Sequence, residues 1–158
     1  EHFASQFRTP GVILRLNYAV EMRYGVLLDI AQKVWAGEPV DLTMGHVNVI
    51  GQGDAVERII RSQDLCSSPP SILNLTGPET LSVRDLAGEL GEMLGRAPSF
   101  SGQETSTALL SDASKSLELF GPPRLRLPEL LNWTADWVRA GGRDLGKPTH
   151  FQTRDGKF

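Results

Sequence analysis

The chain has 158 residues, 40% of them hydrophobic and 22% charged, which is enough for one domain with a buried core and ordinary for a soluble protein. A formal net charge of -3 offers no basic field to nucleic acid phosphates or an anionic membrane, so neither partner is expected. No apolar run approaches the roughly 20 residues that span a bilayer, no signal-peptide layout opens the chain, and the single Cys66 precludes an internal disulfide or a cysteine metal cage. A cytoplasmic location without a metal site is the expectation.

The first residues from Glu1 read as the last turns of a helix, followed by an apolar strand, Val12-Ile13-Leu14-Arg15-Leu16, and a polar turn at Asn17-Tyr18. This is the order of an α/β protein entered halfway, so the chain is expected to be the second half of a longer one. Leu27, Ile30, Ala31, Val34 and Trp35 then recur at helical spacing, and Gly37 and Pro39 stop that helix. Val40 to Met44 and His46 to Ile50 are short β-favouring runs separated by Gly45. In the second, Val47 and Val49 against Asn48 predict a half-buried strand.

From Asp54 to about Leu65 helical spacing returns through Val56, Ile59 and Ile60, ending at Ser67-Ser68-Pro69-Pro70. A strand, Ile72 to Leu75, follows. Ser82 with Asp85 three residues on forms a capping box, and Val83, Leu86, Ala87, Leu90 and Leu94 line one helical face up to Gly95. After a loop at Pro98 to Gly102, Leu110, Ala113, Leu117 and Phe120 predict a further helix. A last one has Pro128 in its first turn and Leu130, Leu131, Thr134, Trp137 and Val138 facing inward. Trp35 and Trp137 lie on these helical stripes and read as core, while Trp133, off the buried period, is the exception, expected to cover a pocket or contact the tail. Residues 1–142 are expected to form one α/β domain, and residues 143–158 a polar tail that needs a surface to lie on. The strands Val12 to Leu16 and Ile72 to Leu75 read as parallel central strands buried on both faces. Two strands alone make no stable open sheet, so further strands are expected from a missing N-terminal half or another chain.

Four runs carry a resemblance: Arg15-Leu16-Asn17-Tyr18-Ala19, Gly37-Glu38-Pro39-Val40, Gly53-Asp54-Ala55, and Leu73-Asn74-Leu75-Thr76-Gly77-Pro78-Glu79-Thr80-Leu81-Ser82. In this order they resemble the C-terminal half of the NAD-dependent epimerase/dehydratase family, the extended short-chain dehydrogenases/reductases. With the segment Gly146-Lys147-Pro148-Thr149-His150-Phe151, the chain is also similar to a bacterial subgroup of oxidoreductases. The resemblance implies a Rossmann-like fold of which this chain holds a few parallel strands and a mostly helical substrate-binding lobe.

In that family a Tyr-x-x-x-Lys catalytic pair lies upstream of the residues corresponding to Glu1 to Arg8. This chain contains neither that pair nor a three-glycine dinucleotide loop, and Gly51-Gln52-Gly53 reads as a tight turn. The implied parent uses NAD or NADP, while this chain alone is expected to bind no cofactor and to carry no catalytic residue. The resemblance places Leu16 and Ala19 against the cofactor and Asn17, Tyr18, Asn48 and Gln52 on the substrate side; Arg23 and Tyr24, just before the amphipathic helix, are expected to reach a ligand with a guanidinium and a phenol. Strand ends at a crevice are where open α/β sheets bind ligands.

One departure concerns Val47, where nucleotide-sugar enzymes of the family hold a substrate phosphate with Arg. An apolar side chain has no donors for a phosphate, so a different substrate is implied. The expected partners are a small-molecule substrate and the missing half or another chain, with homo-oligomerisation open. A non-catalytic ligand-sensing or protein-interaction module on the same fold is the alternative.

Overall fold

The computed structural model describes residues 2–153. The elements in chain order are α1 (His2–Phe7), β1 (Val12–Leu16), β2 (Ala19–Val20), α2 (Val26–Ala36), β3 (Val40–Asp41), β4 (His46–Val47), β5 (Ile50–Gly51), α3 (Gln52–Arg61), a 3₁₀ turn at Ser62–Leu65, β6 (Ser71–Leu75), β7 (Leu81–Ser82), α4 (Val83–Leu94), β8 (Phe100–Ser101), α5 (Ser114–Phe120) and α6 (Leu127–Arg139). Strand β1 pairs with β6 in parallel, from Val12 opposite Ser71 to Leu16 opposite Leu75. Strands β2 and β5, and β3 and β8, form parallel two-residue pairs, while β4 and β7 are antiparallel.

The core lies among three helices. Leu27, Ile30 and Val34 of α2 meet Leu86 and Leu90 of α4 and Leu131 of α6, all nearly inaccessible. Burying each such side chain favours folding by about 1.5–3 kcal/mol before chain entropy is subtracted. The start of α4 follows the sequence signal, for the Ser82 hydroxyl accepts a hydrogen bond from the Asp85 N–H at 3.2 Å. The end of β6 approaches the β4–β5 segment so closely that a Cβ on Gly77 would collide with the Val49 carbonyl oxygen. Only glycine permits that contact.

Several expectations are corrected. Val47, Asn48 and Val49 are all buried, so the stretch is interior and not a half-buried strand. A short strand, β8, replaces the expected loop at Pro98 to Gly102, because its backbone pairs with β3. Helix α5 begins only at Ser114, and Leu110 lies exposed in the preceding segment, where the Ser114 N–H bonds to the Asp112 carboxylate. Trp35 is exposed rather than core, with the Arg96 guanidinium 5.0 Å over its ring, while Trp133, off the buried period, is exposed as its spacing implies.

Helix α3 forms where the spacing from Asp54 predicts it, and the structure decides which of its faces turns inward. Its apolar stripe faces out, with Val56 46% and Ile60 59% exposed, and its inward face carries Asp54, Ala55 and Arg58. A polar network sets this orientation. The two Asp54 carboxylate oxygens accept from the Arg124 and Leu125 N–H groups, each at 3.0 Å. Arg58 donates to the Gly121 carbonyl at 2.7 Å and to the Ser116 hydroxyl at 3.4 Å. Turning the isoleucines inward would strand these donors and acceptors.

The β1–β6 pair is parallel as expected but is not covered on both faces. Ile13 and Ile72 sit opposite each other and are 36% and 43% exposed. Among the described residues no strand lies on the other side of β1.

Candidate functional site

The site is built where the chain leaves β1. The Asn17 N–H continues the ladder to the Leu75 carbonyl at 3.0 Å; the next residue, Tyr18, turns with φ 41°, and its carbonyl accepts from the Ile50 N–H at 3.2 Å. The strand thus changes partner from β6 to β5 at one residue. A tight turn, closed by reciprocal hydrogen bonds between the Glu21 and Tyr24 backbones, then feeds α2 through Gly25. Gly25 has φ 127°, and a Cβ there would lie 2.8 Å from Val20 Cγ1.

This switch leaves a cavity of about 220 Å³. Its walls are Leu16, Tyr18 and Ala19 from the strand ends, Tyr24, Gly25 and Val26 from the helix entrance, and Thr149 from the C-terminal segment. Among the described residues no charged side chain lines it. Leu16, Tyr18, Ala19 and Tyr24, singled out in sequence, are therefore brought together.

The other candidates are placed elsewhere. The Asn17 amide donates to the Leu109 carbonyl at 3.4 Å, beside the cavity and not among its walls. Asn48 is 4% exposed; its amide donates to the Glu79 carbonyl at 3.1 Å and its side-chain oxygen accepts from the Ser111 N–H at 2.9 Å. Those contacts clamp two loops and leave no open surface for a ligand. Gln52 is exposed at the start of α3. Arg23 pairs with Glu21 at 3.1 Å and lines a separate cavity with Trp137, Arg143 and Asp144. Val47 is fully buried.

The C-terminal segment lies along α2. Asp144 accepts from the Gln32 amide at 2.8 Å, and the Leu145 N–H donates to the Arg23 carbonyl at 3.1 Å. The hydrogen bond from Gln32, and next that from the Gly146 N–H, hold the Asp144 carboxyl below its ordinary range. Further on, one Asp29 oxygen accepts both the Thr149 N–H at 2.8 Å and the Thr149 hydroxyl at 2.5 Å, and Phe151 is buried in the core. Residues 154–158 of the tail, and Glu1, lie outside the described residues. Sequence reasoning missed Gly25 and Thr149. A glycine directly before a helical stripe was a legible signal for the first; nothing local marked the second.

No protein-family model and no curated protein matches the chain. Solved structures do. The UDP-glucose 4-epimerase of Thermotoga maritima with UDP-glucose superposes with a TM-score of 0.71 at 19% identity, over 89% of this chain and 49% of that one. The Thermus thermophilus UDP-glucose 4-epimerase complex with NAD gives 0.68 at 18% identity, over 87% and 49%. The UDP-glucuronic acid 4-epimerase of Bacillus cereus in complex with NAD gives 0.71 at 16% identity, over 88% and 48%. The chain thus has the fold of part of these epimerases and spans about half their length. Among the described residues no helix is long and apolar enough to cross a membrane, and no cluster of His, Cys, Asp or Glu is arranged to hold a metal ion.

Proposed function

We propose that the chain is the substrate-side, C-terminal half of an NAD(P)-dependent epimerase, dehydratase or reductase, inactive by itself. The observation that carries this reading is the cavity at the β1–β2 switch, which gathers Leu16, Tyr18, Ala19 and Tyr24 at the strand ends of an epimerase-like fold. The neutral wall of Leu16 and Ala19 suits the nicotinamide ring of a dinucleotide, whose chemistry when bound is hydride transfer. Asn17 stands one residue from that wall and addresses substrate. The buried Val47 supports a substrate that needs no phosphate clamp at that point. The other half supplies the pyrophosphate site and the proton relay.

Two measurements test this. Titration calorimetry of the chain alone with NAD and NADP is expected to show no saturable complex; a micromolar one-to-one complex would overturn the division of labour. Joining the chain to its upstream sequence is expected to restore turnover, and Asn17→Ala in that enzyme is expected to lower kcat/KM by about 1–3 kcal/mol while cofactor affinity changes far less. An upstream sequence that lacks either the dinucleotide loop or Tyr-x-x-x-Lys would leave a binding module in place of an enzyme.

A further inference from the structure

The strap formed by residues 143–153 begins by closing a second cavity, of about 510 Å³, against the last turn of α6 and the turn before α2. Its described walls are Arg23, Trp137, Arg143, Asp144, Leu145 and Gly146, none of which lines the cavity at the β1–β2 switch.

These residues carry more unspent donors than acceptors. Arg23 commits its Nε to both Glu21 oxygens at 3.1 Å, and among the described residues its two terminal amino groups make no hydrogen bond. The Arg143 side chain makes no hydrogen bond or ion pair among them. The Trp137 indole N–H is shut off from solvent and meets no acceptor. A buried donor without a partner is costly, and native folds keep few of them. The one carboxylate of the wall is already engaged: Asp144 Oδ2 accepts from the Gln32 amide at 2.8 Å and Oδ1 from the Gly146 N–H at 2.9 Å. Unspent donors beside spent acceptors select a ligand that accepts.

Charge narrows the class. Two guanidiniums against one carboxylate leave the wall a single positive charge in excess, and Glu21 beside Arg23 lowers it further, which suits a monoanion and disfavours a phosphate dianion. The planar guanidinium fork matches a carboxylate. The rest of the wall is apolar: Leu145 is 49% exposed, and the Trp137 ring packs so closely on Gly142 that a Cβ there would lie 2.3 Å from it.

We propose that this cavity binds an aryl monocarboxylate, its charged end held by Arg23 and Arg143 and its ring set against Trp137 and Leu145. The proposal does not depend on the enzymatic reading above.

The test uses the isotopically labelled full chain with benzoate as the probe. The indole N–H resonance of Trp137, identified by its loss in Trp137→Phe, is expected to shift saturably with benzoate together with the amides of Leu145 and Gly146, at the millimolar affinity of so small a ligand on exposed arginines. Benzamide, which keeps the ring and lacks the charge, and inorganic phosphate are each expected to bind roughly tenfold more weakly or not at all. Arg143→Gln and Arg23→Gln, at exposed positions, are each expected to weaken benzoate roughly three- to tenfold with the melting temperature unchanged. A Trp137 resonance that does not move, benzamide or phosphate binding as tightly as benzoate, or full benzoate affinity in either arginine variant would each overturn the proposal.

Discussion

The helical lobe and the β1–β6 ribbon use the same kinds of residue to opposite effect. In the lobe, α2, α4 and α6 bury their apolar stripes in one another, and Ile30, Leu90 and Leu131 see no solvent. In the ribbon, Ile13 and Ile72 face outward, as do Val56 and Ile60 on nearby α3. The lobe satisfies its own pattern within this chain. The ribbon carries the composition of an interior and an open parallel edge, so its apolar face contributes little to the stability of the chain as it stands.

That contrast is open to direct measurement. Leu131→Ala is expected to destabilise the chain by about 2–5 kcal/mol in denaturant unfolding, whereas Ile72→Ala is expected to cost less than about 1 kcal/mol. Equal losses would mean that the ribbon face is covered in solution and that the two regions do not differ. Asp54→Ala tests the polar device that turns α3 around. It leaves the Arg124 and Leu125 N–H groups without their carboxylate, and an expected loss of about 1–3 kcal/mol, with faster exchange at those amides, would confirm that this network orients the helix.

Gly25→Ala probes the junction between ribbon and lobe. Its φ of 127° and the nearby Val20 side chain predict a penalty of roughly 1–3 kcal/mol in melting experiments, together with a distorted cavity. A stable Gly25→Ala with unchanged spectra would show that the helix entrance is looser than described.

The smallest expected effect is on pH. The folded-state value of Asp144 is depressed below the ordinary 3.8 by Gln32 and Gly146. Its contribution is fully present above that ordinary value and is lost as pH falls through the folded one. Protection of the Gly146 amide, which donates to Asp144, is therefore expected to fall on acidification below the ordinary carboxylate value before that of the lobe amides. Simultaneous release would tie the strap to the core and erase its separate identity.

The residues show why some of this was legible and some was not. Ser82 and Asp85, Gly95, Pro128 and the stripe of α2 act within a few residues of themselves, and each marks the element it promised. The family resemblance brought Leu16, Tyr18 and Ala19 into consideration, and the place of Tyr24 just before a helix brought it in beside them. Local spacing marked α3 as a helix but not its orientation, because Val56, Ile59 and Ile60 carry no sign that Asp54 and Arg58 bond to residues 116–125. The resemblance also offered Asn48, whose side chain is occupied by Glu79 and Ser111.

By itself, then, the sequence determined where most of the helices start and stop and that β1 and β6 are parallel-type strands. These depend on period, caps and turn residues that act over one or two turns of chain. Tertiary structure alone decided which face of α3 is inward, that the chain changes partner at Tyr18, and that Thr149 joins a cavity whose other walls begin more than a hundred positions earlier. Those outcomes depend on pairing buried donors with acceptors far apart in sequence, and no local pattern encodes that pairing.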